Sequence, residues 1–581
     1  MLRSALRSQN FASGRIPFPQ LSRYLSGTVT YDSLSVKPQT HSIVAGPLEP
    51  PLVELTFPAY FREHILAKHD SRPALISRHE PNVRWTFADF DVQIERMARG
   101  LLAAGVRPGD RVATILGNCS AYAVLQWACA RIGAIIVTMN PAYKMHEILA
   151  ALNNVTASTL IVAPSIRKSP FLDMIKEALP TLSSTPAGRD INDPELPSLR
   201  RIFVVDNTGD KTSFRTQMNG IPCAVDLAEV GSAQYATKTE IEASINQRMN
   251  QDDIRHNGFA ESGLGNLAAW VHGAAIVYAS ETFDPKAIVQ AVSDERCTAL
   301  HGVPTHFIGV LEELERRGPN SGLDVSNLRT GIAAGSPVPI PLMRQLIAKL
   351  NLNDLTIAYG MTETSPVSFQ TTPDDPLETR VETVGRVQPH VRAKIINEKG
   401  ELAPVGIAGE LCVAGYLVQK GYWMNPEQTN SVMKRDQHNT DMLWMHTGDQ
   451  AVINQEGYLK ITGRIKDLII RGGENLSPVQ IENCITSHPD IVEAAAIGVP
   501  DDRFGEVVGV WIMLRHGAKP LSKDDVTEWV KLKMNPQNAP SWVWFLGKTG
   551  IPSELPRTAS GKVQKNELRL WAKRMKDAAE R

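Results

Sequence analysis

A series of short motifs in the second half of the chain places glycine next to residues with polar or charged side chains. The first two follow apolar runs of the kind that form buried strands, and ligands bind at the carboxyl ends of strands in parallel α/β sheets. Glycine there lets the backbone approach a ligand closely. This order of motifs is typical of a nucleotide site. In chain order the motifs are Gly335-Ser336-Pro337, Tyr359-Gly360-Met361-Thr362-Glu363, Thr447-Gly448-Asp449, Gly463-Arg464-Ile465-Lys466-Asp467 and Ser560-Gly561-Lys562.

No single motif is specific, and the combination carries the prediction. Thr-Gly-Asp also describes many turns, and most lysines are solvated surface residues. The 463–467 motif, however, is followed closely by Ile470-Arg471-Gly472-Gly473-Glu474-Asn475-Leu476-Ser477-Pro478. His306, on the apolar 302–307 segment, is by residue type more often a packed core histidine than a catalyst.

The order and spacing resemble the adenylate-forming superfamily, which includes acyl-CoA synthetases, beetle-type luciferases and the adenylation domains of peptide synthetases. The resemblance covers residues 55–575 with one gap. It implies an acid–CoA ligase that uses ATP, Mg²⁺ and coenzyme A to activate a small-molecule carboxylic acid through an acyl-AMP intermediate. Gly421-Tyr422-Trp423 and the 475–478 run resemble medium-chain acyl-CoA synthetases most closely.

The resemblance also implies a role for each motif of the large domain. Gly335, Ser336 and Pro337 would form the loop at the adenine edge. Tyr359, followed by Gly360, would stack on adenine. In the same motif, Thr362 would bond the α-phosphate and Glu363 would hold Mg²⁺, a hard cation that suits a carboxylate and phosphate oxygens. Further along the chain, Asp449 would accept the ribose hydroxyls through short charge-assisted bonds, and Arg464 would reach the same sugar.

The remaining motifs would belong to a mobile lid. By the resemblance, the lid would rotate about Lys466. Gly472 and Gly473 would lie close to the pantetheine thiol in the second step, and Lys562 would bridge the acyl carboxylate and the α-phosphate. A cation is needed there because two unit negative charges at about 4 Å repel by roughly 4 kcal/mol at an effective dielectric near 20.

One motif of the family is missing. Members carry a Ser/Thr/Gly-rich loop ending in lysine, whose N–H groups hold the β- and γ-phosphates. Here the corresponding stretch reads Asp252-Asp253-Ile254-Arg255-His256-Asn257-Gly258. Removing one preorganised hydrogen-bond donor typically lowers the rate by about 10²–10³-fold. The loss of the whole phosphate-binding loop should therefore nearly abolish formation of the acyl-AMP. Two explanations stay open: a mispredicted or alternatively spliced transcript of an active gene, which the neat excision favours, and a true pseudoenzyme.

Alternating short apolar runs and helical patterns predict an α/β fold with a large N-terminal domain of parallel-rich sheets flanked by helices. Thr86 is the predicted N-cap of its first long helix. Strands are predicted at 111–116, 135–138, 160–162, 202–205, 275–278, 299–303 and 355–359. After Gly463, helices at 479–485, 526–534 and 563–575 and strands at 491–497 and 507–514 predict a small α+β lid domain.

The predicted division is therefore residues 1–45 as presequence and linker, 50–462 as the large domain, truncated near 254–265, and 463–581 as the lid. Residues 1–31 contain Arg3, Arg7, Arg15 and Arg23 with no acidic residue, a composition typical of a mitochondrial presequence. Arg23-Tyr24-Leu25-Ser26 resembles a processing site of the matrix peptidase. A disordered basic tail, with a cytoplasmic or peroxisomal protein, is the alternative.

Charge and composition limit the classes of binding partner and the kind of cysteine site that are expected. The formal net charge of −1 gives no field that favours nucleic acid. The longest apolar stretch, 121–139, is broken by Gln126 and Arg131, so no transmembrane segment is expected. The six cysteines lack CxxC spacing and are expected to be buried thiols.

Other functions remain open at this point. One is a non-catalytic nucleotide- or acyl-binding protein of the same fold. Another is a free-standing acyl-AMP ligase that loads a carrier protein, with an acyl-carrier or biosynthetic enzyme as partner. A luciferase-type oxygenase is a more distant possibility. The sequence does not identify the acid, nor distinguish fatty-acid metabolism from supply of an acyl starter to a secondary-metabolite pathway.

Overall fold

The computed structural model describes residues 40–232, 263–335, 338, 340–435, 442–472, 474–515, 517–558 and 562–579. Most of the predicted presequence, residues 1–39, therefore lies outside the described residues. Residues 43–45, within the range assigned to presequence and linker, form a strand that pairs with residues 392–394. This strand belongs to the compact unit that begins at His41.

The strands are β1 Ile43–Ala45, β2 Pro73–Ser77, β3 Arg84–Thr86, β4 Arg111–Ile115, β5 Ile135–Thr138, β6 Thr159–Val162, β7 Arg201–Val204, β8 Val225–Asp226, β9 Ile276–Tyr278, β10 Thr330–Ala334, β11 Asp354–Gly360, β12 Val367–Gln370, β13 Arg386–Val387, β14 Val391–Ile396, β15 Gly409–Gly415, β16 Met433–Arg435, β17 Leu443–Ile453, β18 Leu459–Arg464, β19 Ile469–Arg471, β20 Glu474–Leu476, β21 Ile491–Asp501, β22 Gly505–Leu514 and β23 Trp542–Phe545.

The α-helices are Phe57–Tyr60, Ala67–His69, Phe87–Ala103, Ser120–Ile132, Met145–Asn154, Phe171–Ala178, Lys211–Met218, Leu227–Ser232, Ala268–Val271, Pro285–Asp294, Pro304–Arg317, Ile340–Leu350, Leu377–Glu382, Pro426–Val432, Pro478–Thr486, Lys523–Lys533 and Lys565–Ala579. Phe61–Leu66 and Gly263–Leu267 are π-helical, and 3₁₀ turns include Thr362–Thr364 and Ile465–Asp467.

The first half of the large domain contains the parallel sheet that the sequence predicts. Its strands lie in the order β5-β4-β6-β7-β8, all parallel. Val112 of β4 packs into one apolar core and its neighbour Ala113 into another. Both faces of the sheet are therefore covered. The preceding helix begins where expected, because Thr86 and Asp89 form a reciprocal capping box.

The site motifs lie on two other sheets. One has the order β10-β11-β12-β13, in which only β10 and β11 are parallel. The other is antiparallel, with the order β1-β14-β15-β17-β16 and β18 on β17. The sequence did not predict this antiparallel sheet. The expected strand at 299–303 is also wrong as a regular strand, since this edge segment forms only two isolated bridges to β10, at Ala299 and Gly302.

The C-terminal part is mixed α+β, as expected. Its sheet has the order β20-β19-β22-β21, and β23 runs parallel to β22. The helices Pro478–Thr486, Lys523–Lys533 and Lys565–Ala579 confirm the three that were predicted. All six cysteines are free and buried or half-buried. Among the described helices, none combines the length and apolar character needed to span a bilayer.

Candidate functional site

The 359–363 motif lies at the carboxyl end of β11. Tyr359 and Gly360 end the strand, and Thr362–Thr364 form a 3₁₀ turn immediately after it. The pairing of β11 with β12 shifts register between Tyr359 and Gly360. A Cβ atom on Gly360 would lie 1.6 Å from the carbonyl oxygen of Pro366, so only glycine fits this approach of the two strands.

Tyr359 and Asp449, which are far apart in the chain, form the centre of the site. The Tyr359 hydroxyl donates to Asp449 Oδ2 at 2.5 Å. Arg464, the cross-strand neighbour of Asp449, places Nε 3.4 Å from Asp449 Oδ1. Burial raises the pKa of the Asp449 carboxyl above its usual value, and the Tyr359 hydrogen bond and the charges of Arg464 and Lys562 only partly offset this. Burial and the nearby Asp449 charge also hold the pKa of Tyr359 well above its usual value, so its hydroxyl keeps its proton.

A neighbouring carboxylate that sequence reasoning missed supports the turn before Asp449. Glu410 Oε1 accepts a hydrogen bond from the Gly448 N–H at 3.2 Å, and Glu410 Oε2 lies 2.9 Å from His446 Nδ1. Cys412 joins these two in a cluster with metal-ligating side chains. Burial raises the pKa of the Cys412 thiol to about 12. The contacts of Glu410 with the Gly448 N–H and with His446 assign Glu410 and His446 to support of the turn.

Glu363 is oriented by a loop from elsewhere in the chain. Its Oε1 accepts a hydrogen bond from the Tyr422 hydroxyl at 2.9 Å, and its carbonyl accepts from the Gln419 N–H at 2.9 Å. The adjacent Thr362 is exposed. One carboxylate beside a hydroxyl, open to a phosphate-bearing ligand, fits Mg²⁺, which is usually bound through one or two carboxylates and phosphate oxygens.

Lys466 and Lys562 both lie on the surface of the C-terminal part. Lys466 is exposed in the turn Ile465–Asp467, where Asp467 pairs with Arg569 of the last helix at 3.1 Å. Lys562 is exposed, and its carbonyl accepts a hydrogen bond from the Thr558 N–H at 2.8 Å. Lys562 is close enough to Asp449 for its charge to lower the pKa of that carboxyl.

The other predicted site residues are exposed glycines, lie outside the described residues or, in the case of His306, pack against an aromatic ring. Gly335 follows β10 with a φ of +89° and is exposed, and Gly472 is exposed with a φ of +60°. Ser336, Pro337 and Gly473 lie outside the described residues. His306 is half-buried and stacked on Phe283 with ring centroids 4.3 Å apart, as expected for a packed histidine.

The missing phosphate loop also falls outside the described residues, which omit 233–262. The chain resumes in the π-helical turn Gly263–Leu267, which leads through Ala268–Val271 to β9.

Comparisons with known proteins find relatives over most of the chain. The family model of the AMP-binding enzyme matches residues 61–216 and 259–423, and that of the AMP-binding enzyme C-terminal domain matches 480–562. Acyl-CoA ligase sidI of Aspergillus fumigatus is 36% identical over 95% of this chain and 96% of its own length. The mitochondrial medium-chain acyl-CoA ligase ACSF2 of Homo sapiens is 32% identical over 86% of this chain and 84% of its own length.

A solved structure shares the fold at low identity. The anthranilate CoA ligase AuaEII in complex with anthranoyl-AMP superposes with a TM-score of 0.68 at 21% identity, over 90% of this chain and 98% of that one.

Proposed function

This chain belongs to the family of AMP-binding enzymes, and from that premise we propose that it is an AMP-forming acid–CoA ligase whose first step is impaired by the missing phosphate loop. The observation that carries the proposal is the contact of Tyr359, Asp449 and Arg464, with the charge of Lys562 acting on the same carboxylate. Tyr359 and Asp449 meet there across 90 positions of sequence, and the nearby charge of Lys562 supports a nucleoside site with a cationic lid.

In the first step, a carboxylate oxygen of the acid attacks the α-phosphorus of ATP, the bond to the β-phosphate bridge breaks, and pyrophosphate leaves. Tyr359 would offer its ring to adenine, and Asp449 would accept the ribose hydroxyls. Thr362 would bond the α-phosphate, and Lys562 would offset the repulsion between the two reacting anions. Mg²⁺ held by Glu363 would neutralise phosphate charge while bound.

In the second step, the sulfur of CoA attacks the acyl carbon, the acyl–phosphate oxygen bond breaks, and AMP leaves while the thiol proton passes to solvent. Lys466 would serve as the pivot that exchanges Lys562 for the 472–473 glycine pair. This step needs no grip on the β- and γ-phosphates, since pyrophosphate has already left. The missing loop should therefore affect the two steps very differently.

We assign the substrate to the class of fatty or similar carboxylic acids, of medium chain length. Relatives named acyl-CoA ligase and medium-chain acyl-CoA ligase support this, together with the 421–423 pattern. Transfer of the acyl group to a carrier protein is the alternative. A comparison of the rate of thioester formation with CoA and with the phosphopantetheine of a carrier protein distinguishes the two.

The missing loop also favours a second candidate, a non-catalytic binder of nucleotide or acyl-adenylate. One experiment on the chain as written separates the two. Octanoate, ATP and CoA are supplied in one arm, and octanoyl-AMP and CoA in the other, with AMP and octanoyl-CoA quantified. We expect octanoyl-CoA from the supplied adenylate, but turnover from ATP at least about 10²-fold below that of a variant in which a glycine-rich lysine loop is restored.

Each outcome decides between the candidates. Calorimetric binding of an acyl-sulfamoyl adenosine without product in either arm supports the non-catalytic binder. No binding of that mimic by the folded chain overturns both candidates. Equal turnover from ATP with and without the restored loop overturns the proposed impairment.

We propose a mitochondrial location, supported by the basic, acid-free residues 1–31 and by a mitochondrial relative. Cleavage near Arg23–Ser26 would leave β1 intact, because that strand begins at Ile43. Import of a fluorescent protein fused to residues 1–45 tests the location, and a diffuse cytoplasmic signal contradicts it.

A further inference from the structure

A tyrosine outside the motifs of the nucleotide site controls the orientation of Glu363. Tyr422 donates its hydroxyl to Glu363 Oε1 at 2.9 Å from a loop 59 residues further along the chain.

The position of Tyr422 is itself fixed by the helix Pro426–Val432. Its N–H donates to Thr429 Oγ1 at 2.9 Å, and its carbonyl accepts from the Asn425 N–H at 3.2 Å. Asn425 caps the helix by accepting from the Gln428 N–H. A Cβ atom on Gly421 would lie 2.7 Å from Thr429 Cγ2, so the chain can approach the helix this closely only at glycine.

The same loop fixes the backbone of Glu363 as well as its side chain. The Gln419 N–H donates to the Glu363 carbonyl at 2.9 Å. On its other side the loop touches the parallel sheet, where the Arg111 guanidinium lies 5.7 Å from the centre of the Trp423 ring. Loop 419–423 thus contacts Glu363 at its carboxylate and at its carbonyl. The loop is itself held by Thr429 and by Arg111.

We propose that Tyr422 is a positioning residue for the metal: its hydroxyl occupies one oxygen of Glu363 and so presents the other to a divalent cation carried by the nucleotide. The inference rests on the proposed function. A carboxylate already held in one rotamer loses less conformational freedom when it binds a cation. Mutation of such supporting partners typically lowers metal affinity about 10–100-fold.

The test removes only the hydroxyl. In Tyr422→Phe, we expect the apparent affinity for Mn²⁺, titrated in the presence of ATP and followed by electron paramagnetic resonance, to fall about 10-fold or more. Binding of AMP without metal, measured by calorimetry, should stay as in the wild-type chain. A general loss of structure would weaken both, so the difference between the two readouts identifies a positioning role.

Tyr458→Phe is the matched control, because Tyr458 also donates to a carboxylate, Asp375 Oδ1 at 2.6 Å, outside the site. It should leave Mn²⁺ affinity unchanged. In the background of Glu363→Gln, adding Tyr422→Phe should have no further effect, since the two residues act through one contact.

The outcomes separate this inference from the proposed function. Wild-type affinity for Mn²⁺ in Tyr422→Phe, or no coupling of Mn²⁺ to ATP in the wild-type chain that binds AMP, overturns the inference alone. A folded wild-type chain that binds neither AMP nor ATP overturns the proposed function and the inference with it.

Discussion

At the scale of single residues, Asp449 combines two opposed roles. Asp449 is only 9% exposed, and burial raises the pKa of its carboxyl despite three favourable neighbours. A raised pKa in the folded state means that the folded chain binds this proton more tightly than the unfolded chain. The group therefore favours folding at low pH, and this contribution is lost as pH rises through the folded pKa. At neutral pH the ionised carboxylate opposes folding.

Asp449→Asn should separate stability from binding. We expect a neutral amide here to raise the melting temperature at neutral pH, with the difference from the wild-type chain shrinking as the pH falls. AMP binding should weaken at least about tenfold, since a hydrogen bond to a charged group contributes about 1.5–3 kcal/mol. Scanning calorimetry across pH and isothermal titration measure the two effects.

Asp375→Asn provides the opposite case. Burial tends to raise the pKa of Asp375, but hydrogen bonds from the Thr372 N–H and the Tyr458 hydroxyl lower it overall. This carboxylate therefore stabilises the fold above its unfolded pKa, and Asp375→Asn should lower the melting temperature at neutral pH.

A destabilised Asp449→Asn with unchanged AMP binding would contradict the role of Asp449.

At the scale of elements, the site depends on the irregular join of β11 and β12. Gly360→Ala should destabilise the chain by roughly 1–3 kcal/mol, because its Cβ would overlap the Pro366 carbonyl oxygen and force the strands apart. Because this displaces the Thr362–Thr364 turn, AMP binding should weaken as well. Chemical denaturation and calorimetry measure the two effects.

The control for this prediction is Gly265→Ala. In the part of the chain that the structure describes, no heavy atom lies within 4 Å of a Cβ at Gly265. It should therefore change neither unfolding nor AMP binding. Equal stability of Gly360→Ala and the wild-type chain would show that the two strands can separate at no cost.

The elements that the sequence predicted correctly are those with a local signal. Buried runs such as 160–162 and the capped helix after Thr86 are determined by periodicity and cap chemistry within a few residues. The antiparallel sheet has no such signal, because β1 pairs with a strand about 350 residues away and register shifts interrupt β15 and β17. The 299–303 segment has strand composition, yet its pairing with β10 is limited to isolated bridges at Ala299 and Gly302.

The sequence indicated the main residues of the site but not the contacts between them. Resemblance to a family indicated Tyr359 and Asp449, but no property of either residue predicts that one donates to the other across 90 positions of sequence. Glu410 was missed as a supporting residue because a single carboxylate on a strand carries no local pattern. Tyr422 was noted only within the 421–423 pattern, which does not indicate its contact with Glu363. Their contacts exist only in the folded chain.

At the scale of the whole molecule, Lys562 is the residue of the C-terminal part whose charge lowers the pKa of Asp449, and we propose that it acts on the nucleotide. Lys562→Gln should weaken binding of an acyl-sulfamoyl adenosine about tenfold or more, because a charge-assisted bond to the phosphate position contributes about 1.5–3 kcal/mol. Binding of adenosine, which lacks that group, should not change. Isothermal titration with both ligands measures the difference.

Lys573→Gln is the matched control, since Lys573 is exposed on the last helix of the same part of the chain. It should leave both affinities unchanged. If Lys562→Gln binds the mimic as tightly as the wild-type chain does, the cationic lid has no part in the site.

The chain position of the Asp449–Arg464 pair has a consequence for the order of events. Both residues precede Lys466, so the proposed rotation of the backbone at that point would carry Lys562 away and leave the pair where it was. An acyl-adenylate would then stay bound by its ribose while Lys562 is exchanged for the 472–473 glycine pair. Under this proposal the intermediate would be exposed to hydrolysis only during the rotation and would not be released between the two steps.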